Sequence, residues 1–164
     1  MHTRRQLVTM RQLVTIALVT ATVVLASVDV CTPDVPDHAK EIVNHMEFLG
    51  YTVEVGEQSI MVHHETRYNF LIRKFLGGIM FNAFWGSSDY GKEHRSEFLE
   101  YVNDLNRMSS ATVFYVDKDE DLAASCWFPG VYERQLFASA IERWTGDLDF
   151  IIRLDFETSQ KLLE

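Results

Sequence analysis

YNFLIRKFLGGIMFNAFW, residues 68–85, is the stretch on which the architecture turns. It holds two runs rich in aromatic and β-branched residues, 68–75 and 79–85, with Gly77 and Gly78 between them. Strand-forming runs about a two-glycine break are the pattern of a β-hairpin. Upstream, 51–55 and 59–63 read as further strands about the turn Gly56, Glu57, Gln58. Downstream, 111–116 and 122–128 flank an acidic turn over 117–121, and Pro129 and Gly130 end the second of them.

Helical spacing surrounds these strands. Asp37 is placed to cap a helix whose apolar face is Ala39, Ile42, Val43, Met46 and Leu49, with Gly50 as its stop. A loop is expected over 86–91. A second helix is expected from about Lys92 to Arg107, with Phe98, Val102 and Leu105 on its stripe. The last helix begins near Tyr132, carries Leu136, Phe137, Ala140, Ile141 and Trp144 on one face, and is expected to bend at Gly146 and continue through Ile151 and Ile152. Strand runs between segregated helices predict an α+β domain with an antiparallel sheet flanked by helices. The expected division is a signal segment 1–27, a leader 28–36 broken by Pro33 and Pro36, a single domain 37–155, and a tail or helix extension 156–164.

A length of 164 residues suits one domain. Hydrophobic residues at 47% and aromatics at 12% supply a core, which excludes disorder over the whole chain. The net charge of −9 argues against nucleic acid as a partner, since phosphate binding needs clustered Lys and Arg. Two cysteines are too few for a disulfide framework or a four-thiolate zinc site.

Residues 1–12 carry three arginines and no acid, residues 13–27 carry no charge, and Ala26 and Ser27 form a small-residue exit before Asp29. These are the three parts of a secretory signal. The apolar run 13–28 has 16 residues, short of the ~20 that span a bilayer. Export to the periplasm is therefore expected, with cleavage after Ala26 or Ser27. Anchoring in the inner membrane through 13–28 is the alternative. RQLVT occurs at 5–9 and again at 11–15, so either Met1 or Met10 could be the start. Cleavage would leave a net charge of about −12. Export also makes a Cys31–Cys126 disulfide chemically possible, the alternative being two unpaired thiols.

Candidate sites are sparse. Asp117, Asp119 and Asp121 have the first spacing of a calcium loop, but Leu122 stands where a glycine is needed and Phe128 where a bidentate glutamate is needed. They read as a solvated turn. His63 and Glu65 share one strand face with His64 on the other, and His38, Glu41 and His45 share a helix face; two or three loose ligands do not close a zinc site. The chain has no G-x-S-x-G, H-E-x-x-H or phosphate-loop motif. Cys126, between Ser125 and Trp127, reads as a packed thiol. No catalytic, cofactor or metal residue is assigned. Phe81, Phe84 and Trp85 are candidates for an interface or an apolar pocket. Phe137 and Trp144, with Ile151 and Ile152, are candidates for a partner surface.

Residues 37–153 resemble the YbjN-like family, bacterial proteins assigned to sensory transduction regulation. The resemblance is carried in order by Gly50-Tyr51, Tyr68-Asn69-Phe70, the run 79–84, the pair Asn103 and Asn106 near a helix end, and Phe114-Tyr115-Val116-Asp117 before the acidic turn. The amphipathic run from Phe137 to Trp144 completes it. The family fold is similar to type III secretion chaperones, a helix–sheet sandwich that often dimerises. This chain departs from the family in its export signal and in lacking the glycine common in the acidic turn. Asn103 and Asn106 are expected to satisfy backbone groups or to take left-handed geometry. The implied function is a non-catalytic, exported protein-interaction or regulatory module of the bacterial envelope. Its expected partner is another protein, with a weak homodimer and no membrane contact after cleavage. The alternative is a periplasmic binder of a small apolar ligand.

Overall fold

The computed structural model describes residues 35–164; the signal segment, most of the leader and Cys31 lie outside the described residues. A first helix, α1 (Ala39–Phe48), precedes four strands, β1 (Thr52–Val55), β2 (Ile60–His63), β3 (Phe70–Phe75) and β4 (Gly78–Trp85). Two helices follow, α2 (Asp89–Glu93) and α3 (Arg95–Met108), then β5 (Val113–Val116) and β6 (Leu122–Phe128). The chain closes with α4 (Arg134–Leu148), α5 (Phe150–Arg153) and α6 (Phe156–Leu162). The strands form one sheet in the order β1-β2-β3-β4-β6-β5, antiparallel throughout. This is the α+β architecture expected from the strand and helix pattern.

The core lies between one face of the sheet and the helices. Ile60, Val62, Phe70, Ile72, Ile79, Phe81, Ala83, Leu122, Ala124 and Cys126 alternate onto that face and are buried. Ile42 and Met46 of α1, Phe98 and Leu105 of α3, and Phe137, Ile141 and Trp144 of α4 cover them. The Trp144 ring centroid lies 6.0 Å from both Phe70 and Phe81, and the Phe81 and Phe137 centroids are 5.7 Å apart. Each fully buried ring contributes roughly 1.5–3 kcal/mol of transfer free energy.

Local expectations need four corrections. Asp37 does not cap α1: the N-cap is His38, without a side-chain cap bond, and the Asp37 carboxylate pairs instead with Lys74 at 3.1 Å. The β3–β4 turn is centred on Leu76 and Gly77, at φ +47° and +73°, as a hairpin in which both central residues have positive φ. Gly78 belongs to β4 and pairs with Phe75. A side chain there would meet the Phe128 carbonyl and the Trp127 ring, its Cβ falling 2.4 Å and 2.6 Å from their nearest atoms. The expected loop at 86–91 is instead the entry to α2, because Ser88 Oγ accepts the Gly91 N–H and starts a helical turn. Finally, α4 runs through Gly146 and ends at Leu148, with Asp149 forming the joint to α5.

The last residues are docked. Ser88 N–H donates to the Leu162 carbonyl, Glu164 N–H to the Gly86 carbonyl, and Lys161 sits over the Tyr90 ring while pairing with Glu97 at 2.9 Å. Among the described residues no helix is long and apolar enough to cross a membrane.

Candidate functional site: an open sheet face and two unequal edges

The helices cover one face of the sheet. The other face is traced by the strand register: Glu54, Met61, Leu71, Asn82, Ser125 and Val113 lie side by side across all six strands. A second row joins Arg73, Met80 and Trp127, and a third joins Phe84, Ala123 and Tyr115. Much of this face is apolar and accessible, with Phe84 53%, Val113 60% and Trp127 49% exposed. Gly78 creates the seat for Trp127, whose Nε1 donates across the sheet to the Phe75 carbonyl at 3.2 Å. One small polar network interrupts the patch. Asn82 Nδ2 donates to Ser125 Oγ at 2.6 Å, and Ser125 Oγ lies 3.2 Å from the Tyr115 hydroxyl.

The two sheet edges differ. In an antiparallel ladder every second residue of an edge strand turns its N–H and C=O outward. At the β5 edge the outward groups of Phe114, and of Thr112 just before the strand, are occupied. Phe114 N–H donates to Asn106 Oδ1 at 2.9 Å, and Asn106 Nδ2 returns a bond to the Phe114 carbonyl at 2.8 Å. Thr112 N–H donates to Asp147 Oδ2 at 2.9 Å. Asp147, although 3% exposed, also accepts from the N–H groups of Ser110 and Ala111 and from the Ser110 hydroxyl. Burial would raise the Asp147 carboxyl, but these hydrogen bonds outweigh it and hold its pKa below the ordinary aspartate value.

Among the described residues the β1 edge has no such cover. Gly56 N–H donates to the Ser59 carbonyl, which makes Gly56 and Ser59 the hydrogen-bonded pair at the β1–β2 turn. By alternation, Val55 and Val53 then turn their N–H and C=O groups away from β2, to the outside of the sheet. No backbone partner meets them among the described residues. Natural sheets guard such edges or use them.

The residues singled out from the sequence fall into separate places. Phe81, Phe137 and Trp144 are wholly buried in the core and touch one another, so they cannot form an interface or line an open pocket. Trp85 also faces the helix side, half-buried edge-to-face against Tyr68 at 5.9 Å. Phe84 alone of the five lies on the open face. Asn106 caps a strand edge as described, whereas Asn103 is exposed on α3. Asp117 organises the acidic turn: its Oδ1 accepts from the N–H groups of Asp119 and Asp121. Asp121 Oδ1 is taken by Ser87 N–H, so these two carboxylates are committed to backbone. His45 Nδ1 lies 3.0 Å from the Tyr132 hydroxyl, His38 pairs with Glu41, and His64 Nδ1 accepts from Thr66 N–H. Cys126 is buried, and burial followed by the nearby Asp147 charge pushes its thiol up to about 11.

Val113 and Tyr115 on the open face, and Asp147 at the β5 edge, escaped sequence reasoning, whereas Trp127 is expected from the sequence to anchor the core or an interface. A signal existed for the open face and for Asp147. Residues 79–85 are apolar on both alternating faces apart from Asn82, which marks a strand with a second sticky side. Asp147 stands three residues after Trp144 and one before Leu148, within an apolar helix stripe.

No family model matches the chain, and no curated protein does. Among solved structures, the chain is similar to YbjN from E. coli, a proposed transcription regulator, with a TM-score of 0.57 and 12% identity. The match covers 78% of this chain and 96% of that one. The described residues therefore have a YbjN-like fold.

Proposed function

We propose that this chain is a non-catalytic regulatory module that binds an extended segment of another protein as an added strand beside β1. The observation that carries this is the inequality of the edges. Asn106 and Asp147 cover the first half of the β5 edge at Thr112 and Phe114, while Val53 and Val55 leave β1 able to pair. Strand addition takes its affinity from main-chain hydrogen bonds and its selectivity from alternate side-chain contacts. Three of the side chains with catalytic potential are otherwise engaged, which supports binding over chemistry. The Cys126 thiol is buried and held protonated, and the carboxylates of Asp117 and Asp121 hold backbone groups.

The proposed role of the E. coli neighbour in transcription regulation agrees with action through binding. The net charge of −9 directs that binding toward protein and away from DNA. The module acts after export, in the periplasm, and associates weakly with itself. Residues 1–27 support export by their charge pattern. The reading as a binder of a small apolar ligand has less support, because of its aromatic candidates Phe81 is packed in the core and Trp85 is half-buried against Tyr68, which leaves Phe84 alone exposed.

The test is capture from the native envelope with wild-type and Val55→Pro baits. Proline removes an outward N–H and is tolerated at such edge positions. A protein retained by the wild type and lost from a folded Val55→Pro bait supports the reading. Identical capture by both baits, or nothing above background, overturns it.

A further inference from the structure

We propose that the open face of the sheet is where two copies of this chain pair, face to face, leaving both β1 edges free. The inference rests on the reading of the chain as a self-associating module and names the surface. Phe84, Val113, Tyr115 and Trp127 are exposed apolar side chains on this face, with Met80 and Leu71 beside them and the Asn82–Ser125 pair between their rows. Large exposed apolar patches on folded chains mark association surfaces.

Charge selects the occupant. The chain carries 24 acidic residues, yet among the described residues only Glu54 projects from a strand onto this face, with Arg73 offsetting it. A basic partner would find no anionic complement there. A second copy, itself strongly acidic, meets here a broad surface on which like charges do not oppose each other. Two such sheets pack about 10 Å apart with their side chains interdigitated. The pairing is isologous, so each copy offers the same patch.

Size sets the strength. Six strands about 4.8 Å apart, each contributing between five and six residues on average at about 3.3 Å apiece, give roughly 500 Å² per copy, or roughly 1,000 Å² in total, at the lower limit for a specific interface. The Asn82–Ser125–Tyr115 network also loses water on pairing. The dimer is therefore weak and reversible.

Sedimentation velocity of the chain as its host produces it, from low-micromolar to near-millimolar protein, tests this. Wild type is expected to pass from monomer to dimer and to keep the dimer in high salt. Phe84→Glu and Val113→Glu, with wild-type melting curves, each raise the dissociation constant about tenfold or more. Tyr115→Glu replaces either variant that fails to fold. A wild type that stays monomeric throughout, or a dimer undiminished in two folded face variants, overturns the proposal. A monomeric wild type whose captured partner is still lost in Val55→Pro would remove the dimer and leave the interaction reading standing.

Discussion

Asn106 of α3 meets the backbone of Phe114 as a neighbouring strand would, giving one hydrogen bond and taking one. The side-chain amide has the donor–acceptor geometry of a peptide group, so it closes the β5 edge without adding a strand. Asn106→Ala is expected to cost about 1–2 kcal/mol, because it leaves a partly buried N–H and C=O to water. Faster amide exchange at Phe114 than at Tyr115, which bonds inward to β6, is the readout. Equal protection at both would mean that Asn106 does not guard the edge.

Asp147 holds the neighbouring segment through its charge. Asp147→Ala should destabilise the domain by about 3 kcal/mol, since the Ser110, Ala111 and Thr112 N–H groups lose their acceptor. Its folded pKa lies below the unfolded value of about 3.9, so the stabilisation is complete above about pH 5. It fades as pH falls through the unfolded value toward the folded one. Denaturant melts from pH 7 to pH 3 should show a steeper loss for wild type than for Asp147→Asn. Parallel curves would refute the assignment.

Gly78→Ala presses a methyl group against the Phe128 carbonyl, which the sheet holds in place. A loss of about 1–3 kcal/mol is expected, together with a shifted Trp127 fluorescence spectrum. Gly77→Ala has free space around it but keeps a positive φ, so only a strain cost of about 1–2 kcal/mol follows, with Trp127 undisturbed.

Cys126 should resist alkylation in the folded protein at pH 8, because burial keeps the thiol protonated and out of reach. Mass mapping before and after denaturation measures this. Cys126→Ser should leave partner capture unchanged. Rapid labelling of the native protein would point to an exposed thiolate.

Export predicts that the purified protein begins at Ser27 or Val28. N-terminal sequencing of material from a native-like host decides between that and an anchored chain starting at Met1 or Met10.

The local pattern was enough for the architecture. Short turns at 56–58, 77–78 and 117–121 can join only antiparallel strands, and the stripes Ile42/Met46 and Phe98/Val102/Leu105 required helices against a sheet. The ordered motifs from Gly50 to Trp144 also pointed to the YbjN-like fold that the structural likeness bears out. What periodicity could not choose was the side of β4 that is buried. Residues 79–85 alternate between two apolar sets, and only the packing of α1, α3 and α4 turns Phe81 inward and Phe84 outward. The partners of Asn106 and Asp147 were equally hidden. A polar side chain at a helix position shows its capacity for hydrogen bonds in the sequence, but the strand edge it will meet is set by tertiary packing. Asn106 reaches Phe114 across eight residues and Asp147 reaches Thr112 across 35, and that second span is closed only when α4 folds back onto the sheet.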